Sequence, residues 1–291
     1  MFDAHCHTDC SDGNITIEDR IRLVKELKYE AATITDHDFI SSEQVLRAAA
    51  ACEGIPYVPG IELSLSCQGT VVHMLGYFID PVNQQLQDHL ARVQSVDREI
   101  TARLLSAFQR QGASFSLTDL EADSLHTFYS MQLVRRLARD LYTTRPEALM
   151  PAFLDELYRH NLTYADLAPW PVHEAIDLIH QAGGIAVLAH PGGRTDAVMR
   201  TLGFRWHNEE QIRLYADWGL DGVETRTPVH TAIEINFYEE IAARYHLLAT
   251  SGSDCHGDDP YLGPAQMGSY QNLHEGLYNN MLATLKKSRN R

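Results

Sequence analysis

MFDAHCHTDCSDG, residues 1–13, places two histidines one residue apart and follows them with an Asp12-Gly13 turn. In an extended chain alternate side chains share a face, so His5 and His7 point the same way, about 6.5–7 Å apart, while Cys6 points the other way. Two imidazoles on one face can converge on a metal ion. Whether they do depends on what the rest of the chain brings to that face.

The 291 residues are 44% apolar, enough for one large α/β core or two modest ones. No apolar run approaches the length of a membrane span, and the N-terminus lacks the basic and apolar regions of a signal peptide, so a cytoplasmic protein with no membrane partner is expected. The five cysteines include no CxxC pair and give no disulfide framework. A net charge of −15 argues against an electrostatic grip on long nucleic acid. No feature sets an oligomeric state.

Seven strand-like runs recur with helical segments between them: residues 2–8, 31–38, 57–66, 70–78, 185–191, 222–227 and 247–254. That alternation predicts a parallel α/β barrel. After the first run, Ile17, Ile21, Val24 and Leu27 keep helical spacing behind a Thr16/Asp19 capping pair. A serine cap and Gly54 bound the next helix. The alternation breaks only over residues 81–169, where Leu86, Leu90, Val93, Ile100, Leu104 and Phe108 lie on one face of a long helix and more helical pattern follows. Residues 1–80 and 170–291 are therefore expected to form the barrel, and 81–169 a helical insertion that caps one end.

Side chains that bind metals fall at the ends of the strand-like runs: His5 and His7, Asp36 and His37, Glu62, His190, then Asp254 and His256, with His73 inside the fourth. In a parallel barrel the carboxyl ends share one rim, which makes these scattered residues neighbours. Gathering so many carboxylates and imidazoles is costly unless a cation neutralises them. His, Asp and Glu without a thiolate suit Mn²⁺, Fe²⁺ or Zn²⁺, and the number of ligands implies more than one ion. Glu62 is placed to bridge two of them.

With these residues in view, the chain resembles the PHP (polymerase and histidinol phosphatase) family of metal-dependent phosphoesterases. The motifs are HCHTDCSDG (5–13), TITDHD (33–38), GIELS (60–64), VHMLGY (72–77), LAHPGG (188–193) and SGSDCHG (251–257), in family order along the chain. The resemblance implies a distorted seven-stranded (βα) barrel with two or three divalent ions, a trinuclear centre at most. One site would use His5, His7, Glu62 and Asp254; a second Glu62, His73 and His190; a third Asp12, His37 and His256. Asp36 would support His37 rather than ligate.

The same resemblance implies hydrolysis of a small phosphate ester, a nucleotide or sugar phosphate, by a hydroxide bridging two ions. His230 and Asp254 are the candidate catalytic side chains. Arg135, Arg194 and His230 are the candidate substrate contacts, with Arg226 a third guanidinium able to clamp phosphate. Tyr129, Trp170, Trp206 and Tyr261 are candidates for stacking on a base. The insertion looks like that of nucleotide phosphatases, but only Arg135 of their usual Arg-Pro-His-Ile-Ala-Arg segment is matched, and Gln132 stands in place of its histidine. Alternatives are a phosphodiesterase opening a five-membered cyclic ribose phosphate, a short-oligonucleotide 5′ exonuclease, an amide or lactone hydrolase, and a non-catalytic metal-binding scaffold.

Overall fold

The computed structural model describes residues 1–41, 43–123, 129–145, 148–167, 169–192, 200, 202–257 and 267–289. After the extended N-terminal segment, α1 (Ile17–Glu26) starts where its spacing predicts: the Thr16 side chain accepts from the Asp19 amide, and Ile17, Ile21 and Val24 are buried. Then come β1 (Ala32–Ile34), α2 (Glu43–Glu53) and the pair β2 (Tyr57–Cys67) and β3 (Thr70–Tyr77). Among the described residues four α-helices follow without a strand: α3 (Gln84–Arg110), α4 (Leu117–Asp123), α5 (Tyr129–Asp140) and α6 (Leu149–Arg159). Alternation resumes with α7 (Val172–Gln181), β4 (Ile185–Leu188), α8 (Glu209–Asp217), β5 (Gly222–Arg226), α9 (Ala232–Arg244), β6 (Leu248–Ser251) and α10 (Leu277–Ser288).

The six strands form one curled, half-barrel sheet in the order β1-β2-β3-β4-β5-β6. It departs from the expected parallel seven-stranded barrel in two respects. First, β3 runs antiparallel to both β2 and β4. Only Gln68 and Gly69 separate β2 from β3, both with positive φ (51° and 76°), which makes a tight hairpin with no room for a crossover helix. Second, residues 2–8 form no ladder strand; Cys6 makes a single bridge, to Cys255. The segment is nonetheless strung between the chain beyond β6 and that beyond β1. The Ala4 and His7 amides donate to Ser251 and Cys255 (3.1 and 3.0 Å), and the Thr35 amide donates to Cys6 O (2.9 Å). Side chains interrupt the ladder: the Cys6 amide goes to Thr35 Oγ1, and Asp3 takes the Ser253 amide.

Two of the chain's buried clusters show how the sheet and the helices after β3 are packed. Ile61, Leu63, Met74, Ala186 and Val223 of the sheet pack against Ile176 and Ile179 of α7, Ile212 and Tyr215 of α8, and Tyr238 of α9. Leu104, Phe108, Leu133, Leu137 and Phe153 form a separate cluster among α3, α5 and α6. Each such side chain contributes about 1.5–3 kcal/mol on burial. Leu86 and Leu90, at the start of α3, belong to the sheet's cluster, so one helix runs from the main core into the other. Among the described residues no helix is long and apolar enough to cross a membrane.

Candidate metal centre

Glu62 is the centre of the site. It sits inside β2, fully buried, and its two oxygens face different histidines. Oε2 lies 2.9 Å from His5 Nε2, 3.0 Å from His7 Nε2 and 3.4 Å from His37 Nε2. Oε1 lies 2.9 Å from His73 Nδ1 and 3.0 Å from His190 Nε2. His5 and His7 share a face as alternation in an extended chain requires. His73 arrives differently: β3 is antiparallel, so its residue opposite Ser64 faces the same rim from the amino-terminal half of the strand.

Two more carboxylates complete the cage. Asp254 Oδ1 is 3.4 Å from His5 Nε2 and 3.2 Å from His7 Nε2. Asp12 Oδ1 is 3.4 Å from His7 Nδ1, and its Oδ2 is 3.2 Å from His256 Nε2 and 3.8 Å from His37 Nε2. Ligand-type atoms thus gather in three overlapping groups: His5, His7, Glu62 and Asp254; His37, Glu62 and His73; and His7, Asp12, His37 and His256. The grouping differs from the expected partition in that His7 and His37 each serve two groups. His190 joins the second through Glu62 and through His73 Nδ1 at 3.3 Å.

Local backbone features hold these residues. Asp12 sits on the turn whose Ser11 and Gly13 amides donate to Thr8 O, and a Cβ on Gly13 would come within 2.7 Å of that oxygen. Asp36 does not support His37 as expected. Its Oδ1 accepts from the Thr8 amide (2.7 Å) and Ser11 Oγ (2.6 Å), and its Oδ2 from Thr8 Oγ1 (2.7 Å) and Ser41 Oγ (3.3 Å). His190 and Asp254 have φ of 26° and 51°, strained values for residues with a side chain. Cys6 and Cys255 point away from the cage, their sulfurs bonded to Thr33 O and to Arg20.

Burial opposes charge throughout, yet the carboxylates and imidazoles override it for one another. Glu62, Glu224 and Asp254 together hold His5 well above its ordinary value despite its burial. His7, equally buried, is pushed up to about 10 by Asp12, Asp254 and Glu62. His37 goes the other way, down to about 3, because burial and repulsion from His7 and His73 outweigh its carboxylates. Burial notwithstanding, the facing histidines hold Glu62 and Asp12 well below the usual carboxylate range. Buried anions that must share protons with imidazoles fit divalent cations, which would displace those protons. The donors also fit: oxygen and imidazole without thiolate is a set for a borderline or hard ion. His7 Nδ1, buried and with no hydrogen-bond partner among the described residues, is aimed at the Asp12 carboxylate, 3.4 Å away.

All nine expected ligands are therefore brought together. The other candidates fall variously. Arg135 of α5 donates to the Asp12 and Gly13 carbonyls. His230 is buried beside the site, its Nδ1 on Thr225 O (2.9 Å) and its Nε2 accepting the Gly192 amide (3.0 Å). Arg226 turns outward to Glu239 at 2.6 Å. Arg194 and Tyr261 lie outside the described residues. Trp170 packs against His89, Trp206 is exposed against Phe237, and Tyr129 begins α5.

Sequence reasoning passed over two buried residues. Glu224, in the apolar setting of β5, bonds to His5 Nδ1 (3.2 Å) and to the His190 amide (2.8 Å). A charged residue in the middle of GVETRT is the signal that could have found it. Arg20 is fully buried in α1 and donates to His7 O and Cys255 O, tying together the two segments that carry His5, His7, Asp254 and His256.

The PHP domain model matches residues 3–162. The chain is 28% identical over 266 residues to the 5′-3′ exoribonuclease Rnm of Salmonella typhimurium, covering 90% of this chain and 87% of that one. It is 28% identical over 279 residues to a 3′,5′-nucleoside bisphosphate phosphatase of Chromobacterium violaceum, covering 94% and 92%. The crystal structure of a putative metal-dependent phosphoesterase from Bifidobacterium adolescentis superposes with a TM-score of 0.81 at 26% identity, covering 97% of this chain and 96% of that one. With a family match over more than half its length, the chain belongs to the PHP-domain family of metal-dependent phosphoesterases.

Proposed function

We propose that this chain holds two or three divalent ions, Mn²⁺, Fe²⁺ or Zn²⁺, in the cage around Glu62 and hydrolyses a small phosphate ester, with a nucleotide as the favoured substrate. The observation that carries the reading is the division of Glu62 between two sets of imidazoles at 2.9–3.4 Å, the arrangement of a bridging carboxylate. His5, His7 and Asp254 would hold one ion with Glu62, His73 and His190 a second, and Asp12, His37 and His256 a third. Bound ions supply Lewis acidity, lower the pKa of water and neutralise charge developing on phosphorus oxygens.

The chain's own residues do the rest. Residues 1–80 and 170–291 form the catalytic body and 81–169 the cap, with Arg135 set where its guanidinium can leave the Asp12 and Gly13 carbonyls for a phosphate oxygen. Asp254, at the edge of the cage, is the second candidate acid or base. His230 is neutral in the present arrangement, since burial lowers its pKa and its Nε2 accepts the Gly192 N–H. Donation to a leaving oxygen requires it to be protonated and to exchange that bond for the substrate. Phe204 packs edge-on against His73 at 5.2 Å and gives the second group an apolar wall.

Relatives named as a bisphosphate phosphatase and an exoribonuclease support a nucleotide or a short RNA end, and the net charge of −15 favours the smaller ligand. The five free cysteines fit the reducing cytoplasm. The test is phosphate or nucleotide release by the Mn²⁺-loaded protein from adenosine 3′,5′-bisphosphate, AMP, a short 5′-phosphorylated RNA and a five-membered cyclic ribose phosphate. Turnover of the bisphosphate or AMP supports the proposal. Turnover of the cyclic ester alone overturns the nucleotide reading, and inactivity on all four overturns the enzyme.

A further inference from the structure

We infer that Glu224 is a positioning residue that orients two imidazoles on opposite oxygens of Glu62, an inference that rests on the metal-centre reading above. Glu224 is fully buried in β5. Its carboxylate faces His5 Nδ1 at 3.2 and 3.3 Å, and its Oε2 accepts the His190 amide at 2.8 Å. Among the described residues no lysine or arginine pairs with it. A buried carboxylate whose ion pair is with an imidazole, and not with lysine or arginine, is expensive and persists where its hydrogen bonds do something.

Each of those bonds aims a ring at Glu62. A proton held on His5 Nδ1 leaves the Nε2 lone pair directed at the space shared by Glu62 Oε2, Asp254 Oδ1 and His7 Nε2. The bond to the His190 amide holds a residue whose φ of 26° is strained, and that conformation sets His190 Nε2 3.0 Å from Glu62 Oε1. One carboxylate thereby fixes a ligand on each side of the bridging one. Gly252 leaves room for this approach, because a Cβ there would come within 2.3 Å of His5 Cβ and 2.9 Å of Glu224 Oε1. Carboxylates behind metal-binding histidines raise metal affinity by fixing ring orientation and tautomer.

Glu224→Gln keeps the shape and removes the charge. Titration of the metal-free wild type and variant with Co²⁺, followed by visible absorption, should show affinity about 10–100-fold lower in the variant. The metal-free melting temperatures should stay together, which separates positioning from a folding role. Unchanged Co²⁺ affinity in a folded variant overturns the inference. Should the variant not fold, ¹⁵N NMR of the Zn²⁺-loaded wild type decides: a proton on His5 Nδ1 with metal on Nε2 supports the assignment, and the reverse tautomer overturns it. A wild type that takes up no Co²⁺ overturns the metal-centre reading itself, a result distinct from equal affinities in both proteins.

Discussion

Replacing Asp36 with alanine tests how the third ligand group is held. Three of the four bonds that Asp36 accepts are 2.7 Å or shorter, and all come from Thr8, Ser11 and Ser41. The hydroxyls can turn to water entering the gap, but the Thr8 amide cannot. One orphaned buried donor costs about 1–3 kcal/mol, and losing the charge of the acceptor adds about 1 kcal/mol for each short hydroxyl bond, for a total of roughly 3–5 kcal/mol. For a chain of this size that is on the order of 10 °C in melting temperature. The freed Thr8–Gly13 turn carries Asp12 away from His256 and His37, while Glu62 keeps its place in β2, the Asp254 amide keeps its bond to His5 O and His5 keeps its bond to Glu224. Metal analysis of the Mn²⁺-loaded, gel-filtered variant should show one ion fewer per chain than the wild type. Asp36→Asn retains one acceptor oxygen, and its amide can donate to the hydroxyls, so roughly 1 kcal/mol is expected. An Asp36→Ala variant with wild-type metal content and melting temperature would refute the reasoning.

Other perturbations separate the remaining parts. Arg135→Ala should raise KM for phosphate esters at least about tenfold, the scale of a lost charge-assisted bond, with little change in metal content; unchanged KM removes it from the substrate site. Gly252→Ala would press a methyl into His5 and should lower metal content well before it unfolds the chain, checked by metal analysis beside circular dichroism. Asp97, buried where its carboxylate accepts the Ser130 amide, has its pKa raised from 3.8 to about 6 by that burial. A raised carboxyl pKa contributes stability that is complete below the unfolded value and is lost as pH rises through about 6, here roughly 3 kcal/mol. Asp97→Asn cannot ionise, so its melting temperature relative to metal-free wild type should improve steadily from pH 4 to 7; a difference independent of pH would contradict the account.

The clustering of the candidate ligands was partly legible because alternation along an extended segment and helical spacing are local properties of sequence. His5 and His7 share a face for the first reason, and α1 begins at Ile17 behind Thr16 for the second. The long helix α3 likewise shows in the spacing of Leu86 to Phe108, all buried along it. The direction of β3 was decided instead by two residues, Gln68 and Gly69, whose positive φ values close a hairpin. Roles that depend on contacts distant in sequence, from 13 residues for Arg20 with His7 to 219 for Glu224 with His5, left at most a weak local trace. Asp36 reads in sequence as a neighbour of His37, yet folding turns it to Thr8 and Ser11. Glu224 and Arg20 look like ordinary polar positions until the sheet closes and buries them beside His5 and behind His7.

The most direct test of the central claim is an anomalous difference map from crystals of the Mn²⁺-loaded protein, collected at the manganese edge. Two or three peaks inside the cage are expected, with Glu62 bridging a pair of them and His5 and His190 on opposite sides of that bridge. A map with no peak within coordination distance of Glu62 would contradict the claim.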